Sequence, residues 1–384
     1  DSTVVVWGST QDGMTTLPSG LRGVKSFAMG FGHIAALTSD GRIVVWGGGT
    51  AKEAYERVPY GSLGARALGG GKQSMSVVKA DGSVIRWGGS DEGDAPAGLT
   101  GIKFLSQNLY HSIALLEDGT AISWGTEKFG FRYPVNGVKA VSAGYRFSVA
   151  VMNDGTVEAA GENEKGAIDI PSDLPKAKDI AAGWYHNLIL TENDTVAAWG
   201  DTTCGATRVP KGLKHVKAIA AGAQHSLALL EDGTVIGWGD TTYGAAKVPQ
   251  GLKHVKAIAA GPIHSIALKE DGTVVAWGDN SSYQTTVPNN LPKVKAIFGG
   301  FDCTMAILDR ESGPAAISDQ HQILSTLEAR AYPAVFRDLR GNRIGTGDAH
   351  WTGTGWRTDF RPARAWILQA RTPLGLRTAT MVRP

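Results

Sequence analysis

Residues 259–278 read Ala-Ala-Gly-Pro-Ile-His-Ser-Ile-Ala-Leu-Lys-Glu-Asp-Gly-Thr-Val-Val-Ala-Trp-Gly. His264–Leu268 is short enough and apolar enough to be a strand, and Thr273–Trp277 is another. Glu270-Asp271-Gly272 joins them, because Asp-Gly supplies the positive φ values a tight hairpin demands. Upstream, His254–Ala260 alternates like a half-buried strand and Gly261 ends it. Downstream, a polar loop runs to Val287-Pro288, and a proline there allows at most an outer edge strand. The unit is therefore a small antiparallel sheet of three or four strands. Alone it cannot bury its faces.

The unit recurs. Trp-Gly pairs stand at Trp7, Trp46, Trp87, Trp124, Trp199, Trp238 and Trp277, with a degenerate copy at Ala160-Gly161, at intervals of 39, 41, 37, 36, 39, 39 and 39 residues. A fixed period in this range is the mark of a repeat architecture. Radial stacking of such sheets into a β-propeller buries their faces and leaves only short edges. The Asp-Gly turn recurs at Asp40, Asp81, Asp118, Asp154, Asp232 and Asp271, and becomes Asp194-Thr195 in the fifth unit. The last second-strand element, Cys303–Leu308, has no Trp-Gly strand after it, and Val4–Gly8 has no second strand before it. Pairing these two closes the ring. The expectation is an all-β propeller of eight blades over residues 1–309, with seven blades as the alternative count.

The pattern Ala-Ala-Gly-x-x-His-Ser-x-Ala-Leu-x-x-Asp-Gly-x-Val-x-x-Trp-Gly, at Ala220–Gly239 and Ala259–Gly278, resembles the regulator-of-chromosome-condensation family of β-propellers. The short repeat with its Thr-x-Val-Pro segment looks most like the bacterial β-lactamase-inhibitor type. That resemblance implies a non-enzymatic ring that binds proteins through loops on one face. The inhibitor type has seven blades and no C-terminal extension, and this chain departs from it in both. No unit has room for the projecting wedge of the Ran exchange factor. The Gly-Trp-Arg-His-Thr motif of the plant UV-B photoreceptor is approached once, at Gly183–Asn187.

A residue repeated in every unit serves folding, so function is sought where the units disagree. The loop before each second strand reads Phe31-Gly32, Lys72-Gln73, Leu109-Tyr110, Tyr145-Arg146, Trp184-Tyr185, Ala223-Gln224, Pro262-Ile263 and Phe301-Asp302. Common register puts these loops on one rim. Aromatics and arginine on loops are the usual anchors of protein interfaces. By resemblance, the partner-binding role falls on Tyr110, Tyr145, Arg146, Trp184 and Tyr185, with Phe31 and Phe301 beside the closure. The loops after the Trp-Gly positions add Phe129, Phe131, Tyr133 and Tyr243. The competing reading is that these side chains shield the rim or fill a wide channel. Glycan recognition, as a lectin, adhesin or toxin- or phage-tail-associated component, is the second functional class, because exposed Trp and Tyr stack on sugars too.

Catalysis finds little support. The histidines His33, His111, His186, His225 and His264 recur as a structural element would. Adjacent His and Ser in a strand point to opposite faces and cannot form a nucleophile–base pair. No metal-ligand spacing and no phosphate loop stands out, and no cofactor is expected; Gly47-Gly48-Gly49 and Gly69-Gly70-Gly71 open no helix. Cys204 and Cys303 fall at non-equivalent positions and read as free thiols. A net charge of +2 argues against a general nucleic-acid binder, and no apolar run is long enough for a membrane span. The sequence opens without Met or a charged-then-apolar leader and reads as a mature or trimmed form; a secreted or surface-displayed protein is the expectation.

After Asp309 the period stops. Residues 310–384 hold 11 Arg and no Lys against 6 acidic residues, giving +5, so residues 1–309 carry −3. Residues 310–333 read as a linker with a short helix over 319–330. Residues 334–384 read as a small β-rich module with strands at 334–338, 365–368 and 378–382 and an aromatic loop at His350–Arg357. Its expected role is attachment or oligomerisation.

Overall fold

The computed structural model describes residues 3–30, 32–48, 58–59, 64–71, 74–88, 95–96, 98–107, 110–126 and 129–309, and the C-terminal segments 331–338, 343–351, 356–358, 366–372 and 375–381. Eight three-stranded antiparallel sheets follow one another through the first compact unit, Asp1–Ser312. The seventh is typical: Val255–Ala260, His264–Lys269 and Val274–Gly278, paired in sequence order. The first strand of each sheet is the inner one, since its last residues, from Met29 through Gly299, line a single cavity shared by all eight sheets. The ring is an eight-bladed propeller.

Blade 1 is Val24–Met29, His33–Thr38 and Ile43–Gly47. Blade 8 holds Val294–Gly299 and Cys303–Leu308, and Val4–Gly8 supplies its outer strand, with Val4 opposite Ile307 and Val6 opposite Met305. The N-terminal strand thus seals the ring as the unpaired elements predicted. Each blade has three strands among the described residues. Among the described residues one isolated bridge is added, in blade 3, where Val135, which follows Pro134, pairs with Ala121.

The apolar core lies between blades. Leu227, Leu229 and Val235 of blade 6 meet Val255, Ala267 and Trp277 of blade 7. A cluster of this kind occurs at each of the eight blade interfaces. Middle strands are buried almost end to end, as in His225–Leu230. At roughly 25 cal/mol per Å2 of apolar area, stacking supplies what a lone blade lacks.

The repeated polar residues tie the interfaces. Ser265 Oγ donates to the Ala245 carbonyl at 2.9 Å, and Trp277 Nε1 donates to the same oxygen at 2.8 Å. Ser265 Oγ also lies 2.9 Å from Nε2 of His225, one blade back. The arrangement repeats with His186, Ser226, Trp238 and the Ala206 carbonyl. Where blade 4 has Phe147 in place of histidine, blade 5 has Asn187 in place of serine, and Asn187 Nδ2 reaches the Ala167 carbonyl at 2.8 Å. Burial pushes His111, His186, His225 and His264 down to about 4, so all four are neutral above mildly acidic pH. The glycine three residues before the histidine is required by this packing. A Cβ on Gly222 would lie 2.1 Å from His225 Cε1.

The second unit, Gly313–Pro384, contains a five-stranded antiparallel sheet. Its order is Trp356–Thr358, Arg343–Trp351, Ala331–Asp338, Trp366–Thr372, Gly375–Met381. All three expected strands are present. The stretch 350–357, expected as a loop, instead carries the ends of two strands with Trp351 opposite Trp356; only 352–355 lies outside the described residues. Glycines at 345, 347, 353 and 355 hid this strand pair from a propensity reading. The expected helix at 319–330 also lies outside the described residues.

Candidate functional site

The loops that follow the inner strands gather at one mouth of the channel. Their backbones are tied blade to blade: Tyr145 N–H donates to the Trp184 carbonyl at 3.3 Å, Trp184 to Ala223 at 3.4 Å, and Ala223 to Pro262 at 2.9 Å. This ladder fixes the loops of blades 4 to 7 without side-chain help. The cavity beneath has a volume of about 210 Å3 and is lined by the inner-strand ends with Tyr145, Trp184, Pro262 and Phe301.

The aromatic rings meet over this opening. Tyr110 and Tyr145 stack edge to face at 5.2 Å, with their hydroxyls 3.1 Å apart. Tyr145 lies 5.3 Å from Trp184 and 5.5 Å from Tyr185. Trp184, in blade 5, comes within 6.5 Å of Phe301, in blade 8. Those blades stand three apart, so the two rings reach across the mouth. The cluster stands partly on the rim and partly over the opening.

Two cations flank it. The Arg146 guanidinium lies 5.4 to 5.5 Å from the rings of Tyr110, Phe129 and Tyr145 and pairs with Glu162 at 3.2 Å. Lys165 Nζ pairs with Asp201 at 2.9 Å and lies 4.9 Å from the Tyr185 ring centre. Cations over aromatic faces are favoured by the ring quadrupole. Glu162 holds Arg146 upward and Asp201 holds Lys165 upward, so both stay charged. The hydrogen bond from Tyr110, with burial behind it, pushes Tyr145 up to about 12, and burial raises Tyr185. Burial pushes the Asp201 carboxyl up, but hydrogen bonds from Thr203 and Lys165 outweigh it and leave it lowered. The face therefore keeps one charge state through the physiological range.

The expected site residues divide. Tyr110, Tyr145, Arg146, Trp184, Tyr185 and Phe301 come together, each half-buried. Phe129 and Phe131, assigned to an exposed contact loop, are instead 8% and 9% exposed. Phe129 packs under Tyr110 and against His111, and Phe131 joins the core between blades 3 and 4. Tyr133 and Tyr243 are exposed but make no ring contact with the cluster among the described residues. Phe31 lies outside the described residues. Sequence reasoning missed Glu162, Lys165 and Asp201. Lys165 was findable: at the fifth position after Trp or its remnant, Asp12, Cys204, Tyr243 and Ser282 occupy its place, and it alone of these is basic.

Among the described residues, no group of three or more His, Cys, Asp or Glu side chains could hold a metal ion. No described helix is long and apolar enough to cross a membrane.

The regulator of chromosome condensation (RCC1) repeat matches residues 24–51, 138–167, 177–206, 216–245 and 255–284. Five blades of the ring, the first and the fourth to seventh, are thus RCC1 repeats. No curated protein matches the chain in sequence. Among solved structures it is similar to Prp20p of Saccharomyces cerevisiae, a protein with binding properties to Gsp1p and histones. That match has 16% identity and a TM-score of 0.54, and covers 85% of this chain and 95% of Prp20p. A second structure, Kap60 bound to yeast RCC1 (Prp20), matches with 18% identity and a TM-score of 0.54, covering 85% and 92%. The CRINKLY WD40 ectodomain of the Arabidopsis thaliana receptor kinase ACR4 matches with 22% identity and a TM-score of 0.52, covering 66% and 95%. At these identities the likeness speaks to fold alone. RCC1-repeat propellers are generally binding or regulatory proteins.

Proposed function

We propose that this propeller binds a protein partner through the aromatic mouth formed by Tyr110, Tyr145, Trp184 and Tyr185, flanked by Arg146 and Lys165, and that it has no catalytic activity of its own. The C-terminal sheet serves attachment to a larger assembly. The observation that carries the reading is the convergence of these rings and two permanent cations around loops that, from blade 4 to blade 7, are already tied to one another by backbone hydrogen bonds. Pre-fixed loops lose little entropy on binding, and Trp, Tyr and Arg are the side chains that dominate interface energies. The reading is supported by Prp20p of yeast, a ring of similar fold with binding properties to Gsp1p and histones.

The test is partner capture by the full chain and by Trp184→Ala/Tyr185→Ala. Loss of two anchors should weaken affinity by at least about tenfold while the circular dichroism and melting of the ring stay close to the parent. Unchanged affinity would remove the site assignment. Binding of the parent to a glycan array, lost in the same variant, would replace the protein partner with a sugar.

A further inference from the structure

The loop residue just before each second strand sets two blades apart. Arg146 holds that position in blade 4 and Asp302 holds it in blade 8, four blades away and so on the opposite side of the mouth. Arg146 is paired with Glu162. Among the described residues no hydrogen bond or ion pair reaches the Asp302 carboxylate. It is half-buried, and burial and the neighbouring Asp279 both push it up. A partly buried carboxylate beside a second one is costly until a cation joins them.

Blade 7 departs from its fellows to hold that second carboxylate. Gln284 stands where Ala167, Ala206 and Ala245 stand in blades 4 to 6. It is buried, and its Nε2 donates to Asp279 Oδ2 at 2.7 Å. The Ser281 N–H and Oγ donate to the same oxygen, at 3.3 and 2.5 Å, so among the described residues no hydrogen bond falls on Oδ1. The residue before Gln284, Tyr283, takes a φ of 63° in a place where Gly13, Gly166, Gly205 and Gly244 carry the positive φ in other blades. A bulky residue there is strained, and such strain gathers at binding sites.

The ring shows elsewhere what this corner receives. Between blades 4 and 5, Lys165 Nζ pairs with Asp201 at 2.9 Å and lies over Tyr185, the counterpart of Asp302. Between blades 7 and 8 the place of Lys165 is taken by Ser282, which is short and uncharged. The first basic residues along the connections that leave blades 7 and 8 are Lys293 and Arg22. They stand one and two residues before the inner strands Val294–Gly299 and Val24–Met29, at the other end of the ring. Among the described residues, then, the chain does not supply at this corner the ammonium that it supplies between blades 4 and 5.

We propose that the partner supplies it: a lysine or arginine side chain lands on Asp302 and Asp279, beside an apolar residue seated on Trp184 and Phe301. This rests on the aromatic mouth as the binding face. Phe301 directly precedes Asp302 and meets Trp184 across the opening, so one segment of a partner touches both features. A metal ion suits the corner less well, since among the described residues no group of three acidic, His or Cys side chains gathers there. An acidic segment suits it less well still, because Arg146 and Lys165 already have their carboxylates. Complementary charge of this kind selects partners more than it adds affinity.

The experiment titrates the full chain with three dye-labelled eight-residue peptides. Each carries the same two tryptophans, with lysine, glutamine or glutamate between them. The lysine peptide should bind at least about tenfold more tightly than the glutamine peptide, and the glutamate peptide should bind most weakly. Asp302→Asn should bring the lysine and glutamine peptides within about twofold of each other. Ser282→Lys, which offers an ammonium from the chain itself, should do the same without weakening the glutamine peptide. Glu231→Gln, at an exposed hairpin at the other end of the ring, should leave the tenfold preference in place. Equal binding of the three peptides, or a preference that survives Asp302→Asn, would overturn the inference. The aromatic face would still stand in that case if Trp184→Ala/Tyr185→Ala abolished binding. No binding of any peptide would overturn both.

Discussion

His225 Nε2 and Ser265 Oγ, forty residues apart and in neighbouring blades, lie 2.9 Å from each other. Ser265 has already spent its proton on the Ala245 carbonyl, so the histidine must donate, and its proton sits on Nε2. Ser265→Ala leaves that buried N–H without an acceptor, while Ala245 keeps its bond from Trp277. The expected cost is about 1–3 kcal/mol in urea unfolding. Ser265→Thr should be nearly silent, because Thr304 fills the same place opposite His264 at 3.0 Å.

Those histidines set an acid limit on the ring. Each is held down to about 4 by burial, against an ordinary 6.5. Below pH 6.5 the unfolded chain takes up protons that the folded ring refuses. Stability is therefore full above pH 6.5 and is lost as pH falls from there toward 4, by up to about 3 kcal/mol for each histidine. Urea midpoints measured from pH 8 to pH 4.5 should be flat at first and then fall. His225→Phe, which copies Phe147 of blade 4, should start lower and fall less steeply. A midpoint independent of pH across this window would contradict the neutral, buried state.

Gly222 tests the steric half of the same motif. Its Cβ would lie 2.1 Å from the His225 ring and 2.8 Å from the Gly261 carbonyl of the next blade. Gly222→Ala should cost about 2–4 kcal/mol, since ring and backbone must both move. Gly251 is the contrast. Its φ of +80° disfavours a side chain, but no atom lies within 4 Å of its Cβ. Gly251→Ala should cost only about 1–2 kcal/mol, as local strain. Chemical denaturation of the two variants side by side separates crowding from backbone preference.

The ring was legible because its instructions are repeated and local. Asp271-Gly272 turns a hairpin by its own φ preferences, and Trp277 marks the outer strand in one blade as Trp238 does in another. The blade count needed only the orphaned strands Val4–Gly8 and Cys303–Leu308. The aromatic loops were legible as exceptions to the repeat, and register placed them on one rim. What register could not give was depth. Phe129 and Phe131 lie in a loop, where polar surroundings suggest exposure, yet they support Tyr110 and the blade interface from below. Nor could sequence show that Trp184 meets Phe301 across the mouth, since that depends on the width of the ring. The C-terminal sheet was half legible: its apolar strands stood out, while 343–351, with glycines at 345 and 347, did not.

The seam between Val4–Gly8 and Cys303–Leu308 offers a chemical readout of ring closure. Val6 is 4% exposed, sits opposite Met305 and shares a cluster with Cys303 and Trp46. Cys303 is 2% exposed, and burial pushes its thiol up to about 12, so it should resist thiol reagents. Cys204 is half-exposed and should react. The parent ring is expected to label once. Val6→Asp places an unpaired carboxylate in the cluster and should cost several kcal/mol, releasing the outer strand of blade 8. Cys303 then loses its cover, and a second thiol becomes reactive under native conditions. Labelling that stays at one in a Val6→Asp ring with an unchanged melting temperature would mean the N-terminal strand is not what closes the propeller.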